Sequence, residues 1–320
     1  MDVSVIIVNF NTKDLLHECL TSVFADTPPI AFEVLVIDNG STDGSVEMVR
    51  LDFPRVRLIV NQSNEGFAKP SNVGMRQSVG SYVFLLNSDT IVKPGALATL
   101  KFFLDAHPEA GACGPMLMNP DGSVQHSVKG FPGLWTHACD MLLLDRLFPG
   151  SRFFGRGEMS YFSYNTTQEV DHVMAAAFLV RRGVLERTGM FDERFSIYYN
   201  DMDWCYRMKQ DGWRIYYVSG AHIIHYHGRT VAQINRDLRY FQEMHNNVML
   251  FYQKHYGRWS VMFYKILLAC GFVPRTIGWA VARFLWPSER SRHMLAFSLR
   301  SLWIGVRFWS PLPETAVIQE

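Results

Sequence analysis

The sequence predicts an α/β fold with a doubly wound parallel sheet, on three observations. Short β-branched and aliphatic runs alternate with helical patterns through the first hundred residues. That alternation, at that spacing, needs crossover connections and therefore parallel strands. Three of the runs also end in polar residues at their carboxyl ends, where open α/β sheets bind ligands.

The elements follow in order. Val3 to Val8 reads as a buried strand ending at Asn9. Leu15, Leu16, Cys19, Leu20 and Val23 mark one face of a helix capped by Asn11 or Thr12. Val34 to Ile37 forms a second strand ending at Asp38, and Val56 to Val60 a third. Val73 to Val79 looks helical. Tyr82 to Leu86 makes a fourth strand running into Asn87-Ser88-Asp89, before a helix around Leu97 to Ala106. Gly111 to Lys129 suggests a strand pair around the turn Asn119-Pro120-Asp121-Gly122. Residues 130–168 show no clear period and read as a long loop region. Val173 to Arg181, Trp213 to Val218 and His222 to His225 read as strands, and Asn235 to Tyr256 as an amphipathic helix.

Composition narrows the class. Charged residues at 19% and aromatics at 14% exclude a disordered chain. A net charge of +1 gives no global reason to expect nucleic acid. Five scattered cysteines without a Cys-x-x-Cys pair argue against a disulfide framework or a zinc cluster and for reduced, mostly buried thiols. The opening Met1-Asp2-Val3-Ser4 lacks the basic start and cleavage site of a signal peptide, so a cytoplasmic location is expected. Neither G-x-G-x-x-G nor a P-loop is present, so a nucleotide has to be held some other way.

The densest stretch runs from Phe191 to Trp213. Asp201 and Asp203 fall where a helix should start. Two carboxylates there complement the helix dipole; alternatively one is a general base, made more basic by aromatic surroundings and a carboxylate neighbour. Further on, strand alternation puts His225 and His227 on one face. A histidine beside Asp89 completes a divalent metal site, or is simply structural.

Seven stretches in order carry a family resemblance: Val5 to Asn11, Val36 to Gly44, Asn64 to Gly74, Leu85 to Thr90, Phe191 to Phe195, Asn200 to Trp204, and His225 to Gly228. Together they resemble the inverting glycosyltransferases of family 2, with the GT-A fold, and most of all the rhamnosyltransferase type of bacterial cell-surface polysaccharide synthesis. The resemblance implies a GT-A domain over residues 1–253. It implies that Asn9 and Asp38 hold the base and ribose of a nucleoside diphosphate sugar, with Asn64, Gly66 and Asn72 lining the same pocket. Asn87, Ser88, Ala176, Asp203 and Trp204 are placed against the nucleotide sugar as well. Asp89 and His225 are implied as ligands of Mg²⁺ or Mn²⁺, and Asp201 as the base that deprotonates the acceptor hydroxyl. Three positions depart from the family pattern: Asn87 replaces an aspartate, Asn200 a glutamate, and Ala176 a glycine. The donor best matching the resemblance is dTDP-rhamnose; UDP-galactose or UDP-N-acetylglucosamine donors, or a non-catalytic nucleotide-sugar-binding partner in a membrane assembly, are the alternatives.

The chain's charge is unevenly spread. Residues 254–310 carry a net +8, while residues 1–253 sum to −5. Arg and Lys interleave there with Trp279, Trp286, Trp303 and Phe308, and no uncharged run reaches the ~18 residues of a spanning helix. Residues 254–320 therefore read as basic amphipathic helices for an anionic membrane surface or for oligomerisation. A polyprenyl-diphosphate-linked acceptor suits the membrane reading. No motif supports nucleic acid, and a homo-oligomer is left open.

Overall fold

The computed structural model describes residues 1–25, 30–195, 198–226 and 238–306. The first half runs β1 (Val3–Asn9), α1 (Lys13–Ala25), β2 (Phe32–Asp38), α2 (Ser45–Asp52), β3 (Arg57–Val60), α3 (Ala68–Gln77), β4 (Tyr82–Asn87), β5 (Thr90–Val92), α4 (Ala96–Ala106), β6 (Ala110–Met118) and β7 (Val128–Lys129). Then come α5 (Leu134–Met141), α6 (Leu144–Leu147), β8 (Gln168–Val170), β9 (His172–Val173), β10 (Ala177–Arg181), α7 (Arg182–Thr188), α8 (Asn200–Gln210) and β11 (Arg214–His225). Three helices close the described chain: α9 (Leu238–Tyr256), α10 (Arg258–Leu285) and α11 (Glu289–Val306). Among the described residues, those within 1–131 and 163–226 form one compact unit, and those within 132–162 and 238–306 the other. Residues 132–162 thus group with the C-terminal helices.

The first unit is built on a nine-stranded sheet ordered β3-β2-β1-β4-β10-β6-β11-β5, with β8 beside β11. β1 runs parallel to β2 and β4, as the alternation predicts. β10 returns antiparallel against β4 and β6, so the sheet is mixed. β1 is apolar on both faces because both are covered. Val5 and Ile7 share a core with Leu16, Cys19 and Leu20 of α1. Ile6 faces α3, where a Cβ on Gly74 would come 2.5 Å from Ile6 Cγ2 and 2.9 Å from Ile37 Cδ1. Gly74 is thus what lets α3 lie close to the sheet.

Two expectations for this unit change. The turn at Asn119–Gly122 forms, with Gly122 N donating to Asn119 O at 2.9 Å. The chain beyond the turn makes a single bridge, Met118 to Val124, while β7 pairs with β9. β6 instead sits between β10 and β11, as a strand buried on both faces should. The two strands expected at 213–218 and 222–225 are one, β11, with a register shift between Val218 and His222.

In the second unit, residues 134–147 hold two short helices in place of the expected loop. An aromatic cluster follows them: Trp135 packs on Phe153 with centroids 4.7 Å apart and donates its Nε1–H to the Phe153 carbonyl at 2.9 Å. Helices this short show no period, which is why the sequence pattern missed them. α11 lies tightly on α10, since a Cβ on Gly305 would come 2.8 Å from the Ala269 nitrogen. Behind this contact, His137 Nδ1 meets the Tyr252 hydroxyl at 2.8 Å and His245 Nδ1 the Tyr264 hydroxyl at 2.6 Å. By length and composition alone α10 is able to cross a membrane. The short charged interruptions at Lys265 and Arg275 had hidden that in a search for uncharged runs.

Candidate active site

The polar strand ends lie side by side. Asn9 is the register partner of Asp38, and Val8 that of Asn87, so the ends of β2, β1 and β4 form one edge. Asn9 Nδ2 donates to Asp38 Oδ2 at 2.8 Å and to Ser41 Oγ at 3.1 Å. Asp38 Oδ1 accepts from the Gly40 and Ser41 amides at 3.1 and 2.8 Å. Both side chains are buried and shape the Gly40–Ser41 loop. Beside them Asn39 donates to the Gly66 carbonyl at 2.7 Å and to Asn64 Oδ1 at 3.3 Å, and the Gly66 amide donates to the same Asn64 oxygen at 2.9 Å. Thr12 joins Asn9 Oδ1 at 2.7 Å to the Ser88 hydroxyl at 3.0 Å. Asn39, Ser41 and Thr12 are part of this edge, and sequence reasoning had not singled them out.

The next strand pairing brings Asp89 and His225 together. Thr90 of β5 is the register partner of His225 on β11, and the Tyr226 amide donates to the Asp89 carbonyl at 2.9 Å. His225 Nε2 then lies 3.3 Å from Asp89 Oδ1. Gln125, which no sequence motif marks, fixes the ring. Its Nε2 donates to the His225 carbonyl and to Asn119 Oδ1, both at 2.7 Å, so its Oε1, 3.0 Å from His225 Nδ1, has to accept. Nδ1 therefore carries a proton, and Nε2 is the nitrogen turned towards Asp89. Nε2 of a neutral ring beside a carboxylate is a donor set that suits a divalent cation, with the hydrogen-bonded anchor typical of metal-ligating histidines. No cluster of three or more His, Cys, Asp or Glu that could hold a metal exists among the described residues, so two protein ligands leave room for ligand oxygens. His227 lies outside the described residues.

Asp201 sits in the first turn of α8. Ahead of it, Tyr198 and Tyr199 both hold left-handed backbone, at φ 54° and 63°, which is costly for non-glycine residues and clusters at functional sites. Asp201 Oδ2 accepts from the Ala175 amide at 2.9 Å and lies 3.3 Å from His172 Nε2, while Oδ1 accepts from the Met202 amide at 2.8 Å. Burial pushes the carboxyl towards neutrality, but His172 and the two amides outweigh it and hold the group below the usual aspartate value. This corrects the expectation of raised basicity: the aromatic residues pack elsewhere and the neighbouring carboxylate is turned away. The Ala176 carbonyl accepts from the Asn87 amide at 2.9 Å, so Ala175 and Ala176 tie the Asp201 carboxylate to the strand end that precedes Asp89. Asn200, at the position of the family's glutamate, is buried, and its Nδ2 has no hydrogen-bond partner among the described residues.

Three residues expected against the nucleotide sugar are placed inside the protein. Asp203 is fully buried and pairs with Arg207 Nε at 2.9 Å, and Arg207 in turn holds the Thr188 and Met190 carbonyls. Trp204, also 0% exposed, packs edge-on against Phe178 and Phe191 and donates to Thr188 Oγ1 at 3.0 Å. The Asn72 amide group is taken up by Phe191 N and O and by Glu193 Oε1, at 3.1, 3.0 and 2.8 Å. These side chains dock α8 and its preceding loop; they shape the site from behind.

The model for glycosyl transferase family 2 matches residues 4–189, more than half of the chain, and the chain belongs to that family. The N-acetylglucosaminyl-diphospho-decaprenol L-rhamnosyltransferase of Mycobacterium tuberculosis is 28% identical over 258 residues, covering 72% of this chain and 77% of that protein. The O-antigen biosynthesis protein RfbC of Myxococcus xanthus is 31% identical over 229 residues, 70% of this chain but 17% of that protein. Among solved structures, GalNAc-T7 with UDP, GalNAc and Mn²⁺ aligns with a TM-score of 0.60 at 15% identity, over 98% of this chain and 58% of that one. The mannosyltransferase PcManGT from Pyrobaculum calidifontis, in complex with GDP-Man and Mn²⁺, gives 0.53 at 18% identity, over 96% and 88%. These likenesses show the GT-A fold. The chain is a glycosyltransferase that uses nucleotide-sugar donors.

Proposed function

We propose that the protein is a metal-dependent inverting glycosyltransferase that moves rhamnose from dTDP-rhamnose to a polyprenyl-diphosphate-linked glycan at the cytoplasmic membrane face. The observation that carries the reaction type is the pairing of an ionised, partly open Asp201 with an Asp89–His225 pair tied to it through Ala175 and Ala176. A Mg²⁺ or Mn²⁺ ion held by Asp89 and His225 supplies neutralisation of the diphosphate leaving group. Asp201 takes the proton from the acceptor hydroxyl, which attacks the anomeric carbon in one displacement with inversion. Base and ribose rest on the loops shaped by Asn9, Asp38, Asn64 and Gly66, and the sugar diphosphate lies by Asn87, Ser88 and Ala176. The choice of donor and acceptor is supported by the mycobacterial relative, whose name gives both rhamnosyl transfer and a diphospho-decaprenol acceptor.

The membrane reading is supported by α10. Trp259, Phe263, Ile266, Val273, Ile277, Val281 and Phe284 recur at steps of three, four and seven residues and are all exposed, forming one apolar stripe. Residues 258–306 carry seven Arg or Lys against Glu289. Apolar stripe and positive charge together suit an anionic bilayer surface.

Nucleoside diphosphate release is the test, measured across dTDP-rhamnose, UDP-galactose and UDP-N-acetylglucosamine with bacterial lipid extract as acceptor, with Mn²⁺ and with chelator. Release from dTDP-rhamnose, stopped by chelator and by Asp201→Asn with donor binding retained, is expected. Release from a UDP-sugar alone would overturn the donor assignment. Turnover surviving Asp201→Asn would overturn the base, and donor binding without release from any donor would favour a non-catalytic partner.

A further inference from the structure

His172 is the buried titratable residue that the proposed reaction leaves without a task. It opens the two-residue strand β9, opposite Lys129 of β7, and its side chain is 6% exposed. Neither ring nitrogen makes a well-aligned hydrogen bond among the described residues, and its one ion pair there is Nε2 to Asp201 Oδ2 at 3.3 Å. Burying an imidazole so poorly satisfied costs stability, and an apolar ring would pack there without that cost. The residue therefore earns its place through Asp201.

The lone pairs of Asp201 say what it does there. An ionised carboxylate has about four acceptor sites, two on each oxygen. The Ala175 amide takes one on Oδ2, and His172 stands at the other. The Met202 amide takes one on Oδ1. A single acceptor position remains, on Oδ1, and the Asp201 side chain is 16% exposed, enough to be reached. His172 has to carry its proton on Nε2, since the other neutral tautomer would set a lone pair against the carboxylate.

We propose that His172 is a positioning residue for Asp201, clamping Oδ2 so that Oδ1 alone receives the acceptor's proton. This rests on the reading of Asp201 as the base. The proton goes from the acceptor hydroxyl to Asp201 Oδ1 and from there to solvent, and His172 keeps its own. The other charged groups around the pair are occupied or face away: Asp203 pairs with Arg207, Lys209 bridges Glu169 and Asp171, and the Cys205 thiol, raised by burial, stays neutral. Lys129, across the β7–β9 ladder, has a partner of its own.

Two variants and one spectrum test it. His172→Phe keeps the ring and removes the donor, and His172→Gln keeps an N–H donor without the ring. With dTDP-rhamnose and lipid extract, His172→Phe is expected to lower kcat about 10- to 100-fold, the worth of a hydrogen bond to a charged group. The donor KM should stay within about twofold, His172→Gln should recover most of kcat, and His172→Phe should cost nothing further on top of Asp201→Asn. Unchanged kcat in His172→Phe, or equal damage in both variants, would overturn the proposal. In the substrate-free protein, nitrogen NMR of labelled histidine should show Nε2 protonated at neutral pH; an unprotonated Nε2 would refute the clamp whatever the donor proves to be. A base reading that is itself wrong shows up separately, as turnover in Asp201→Asn.

Discussion

Gln125→Leu isolates the anchor behind the proposed metal site, because the Gln125 amide holds His225 Nδ1 from the side away from Asp89. Gln125 makes three hydrogen bonds in a buried setting: to His225 Nδ1 at 3.0 Å, and to the His225 carbonyl and Asn119 Oδ1 at 2.7 Å each. Leucine fills a similar volume but takes away the hydrogen bonds that Gln125 makes to the His225 Nδ1–H and the His225 carbonyl. At roughly 1–3 kcal/mol for each of these two buried groups, the fold should lose about 2–6 kcal/mol, partly recovered by the apolar gain. The larger effect is on the ring. Released from Gln125, His225 can place its proton on Nε2 and donate it to Asp89 Oδ1, now 3.3 Å away, and a protonated nitrogen cannot bind a cation. Loss of such a partner behind a metal ligand weakens metal affinity about 10- to 100-fold. Calorimetric titration with Mn²⁺ in the presence of dTDP would measure it, alongside thermal melts with and without the metal. Wild-type Mn²⁺ affinity in Gln125→Leu, with the fold intact, would refute the reasoning that the amide fixes this histidine as a ligand.

Three further outcomes are expected. Trp204→Ala removes a fully buried indole wedged between Phe178 and Phe191 and should cost about 3–5 kcal/mol in denaturant unfolding, with donor affinity falling only as the fold does. A loss of donor affinity at full stability would restore it to the substrate-contact role. In the helical unit, burial pushes His137 down to about 4 and His245 to about 3, the latter also through the charge of His137. Both are neutral when folded and charge near pH 6.5 when unfolded, so their stabilising share is whole above pH 6.5 and declines as pH falls from 6.5 towards 4, by roughly 3 kcal/mol per histidine at most. Thermal melts between pH 7.5 and 5 should show that slope, and His245→Leu should flatten it; an unchanged slope counts against it. Ile277→Glu with Phe284→Glu should abolish sedimentation with anionic liposomes, which for the unaltered chain should weaken in high salt. A shift from dimer to monomer with no liposome binding in either protein would assign the stripe to self-association instead.

The sheet was legible in the sequence because its strands are buried on both faces, and Val3 to Val8 or Tyr82 to Leu86 admit few other readings. The polar strand ends were legible for the same reason: Asn9, Asp38 and Asn87 break apolar runs. The partners of these residues were not. Gln125 lies 100 positions from His225, and His172 29 from Asp201. Nothing in local spacing joins them, because a bulged β11 and the two-residue strand β9 bring them into place. Pattern also failed to separate Asp201 from Asp203. Both stand in one helical turn, but the rotation of α8 aims one at an open edge and the other at Arg207. The aromatic residues that suggested an apolar environment for the base are the ones that pack α8 down, and they leave Asp201 to two amides and an imidazole.

The two carboxylates of the site share a design with one difference that separates their tasks. Each faces a buried imidazole through Nε2, at the same 3.3 Å. At Asp89 the imidazole is fixed from behind, since Gln125 occupies Nδ1. A neutral ring there offers Nε2 beside the carboxylate, the arrangement that the proposed divalent cation would use. At Asp201 the ring has no such anchor: Nδ1 of His172 has no hydrogen-bond partner among the described residues, so the proton is free to settle on Nε2, where the carboxylate attracts it. An Nε2–H there faces the carboxylate and leaves no lone pair on that nitrogen for a cation. On the proposed roles, the difference between a metal pair and a base pair falls to the far nitrogen of each histidine, where one glutamine oxygen is present or absent. Placing an acceptor behind His172, or removing the one behind His225, should therefore move each pair towards the behaviour of the other.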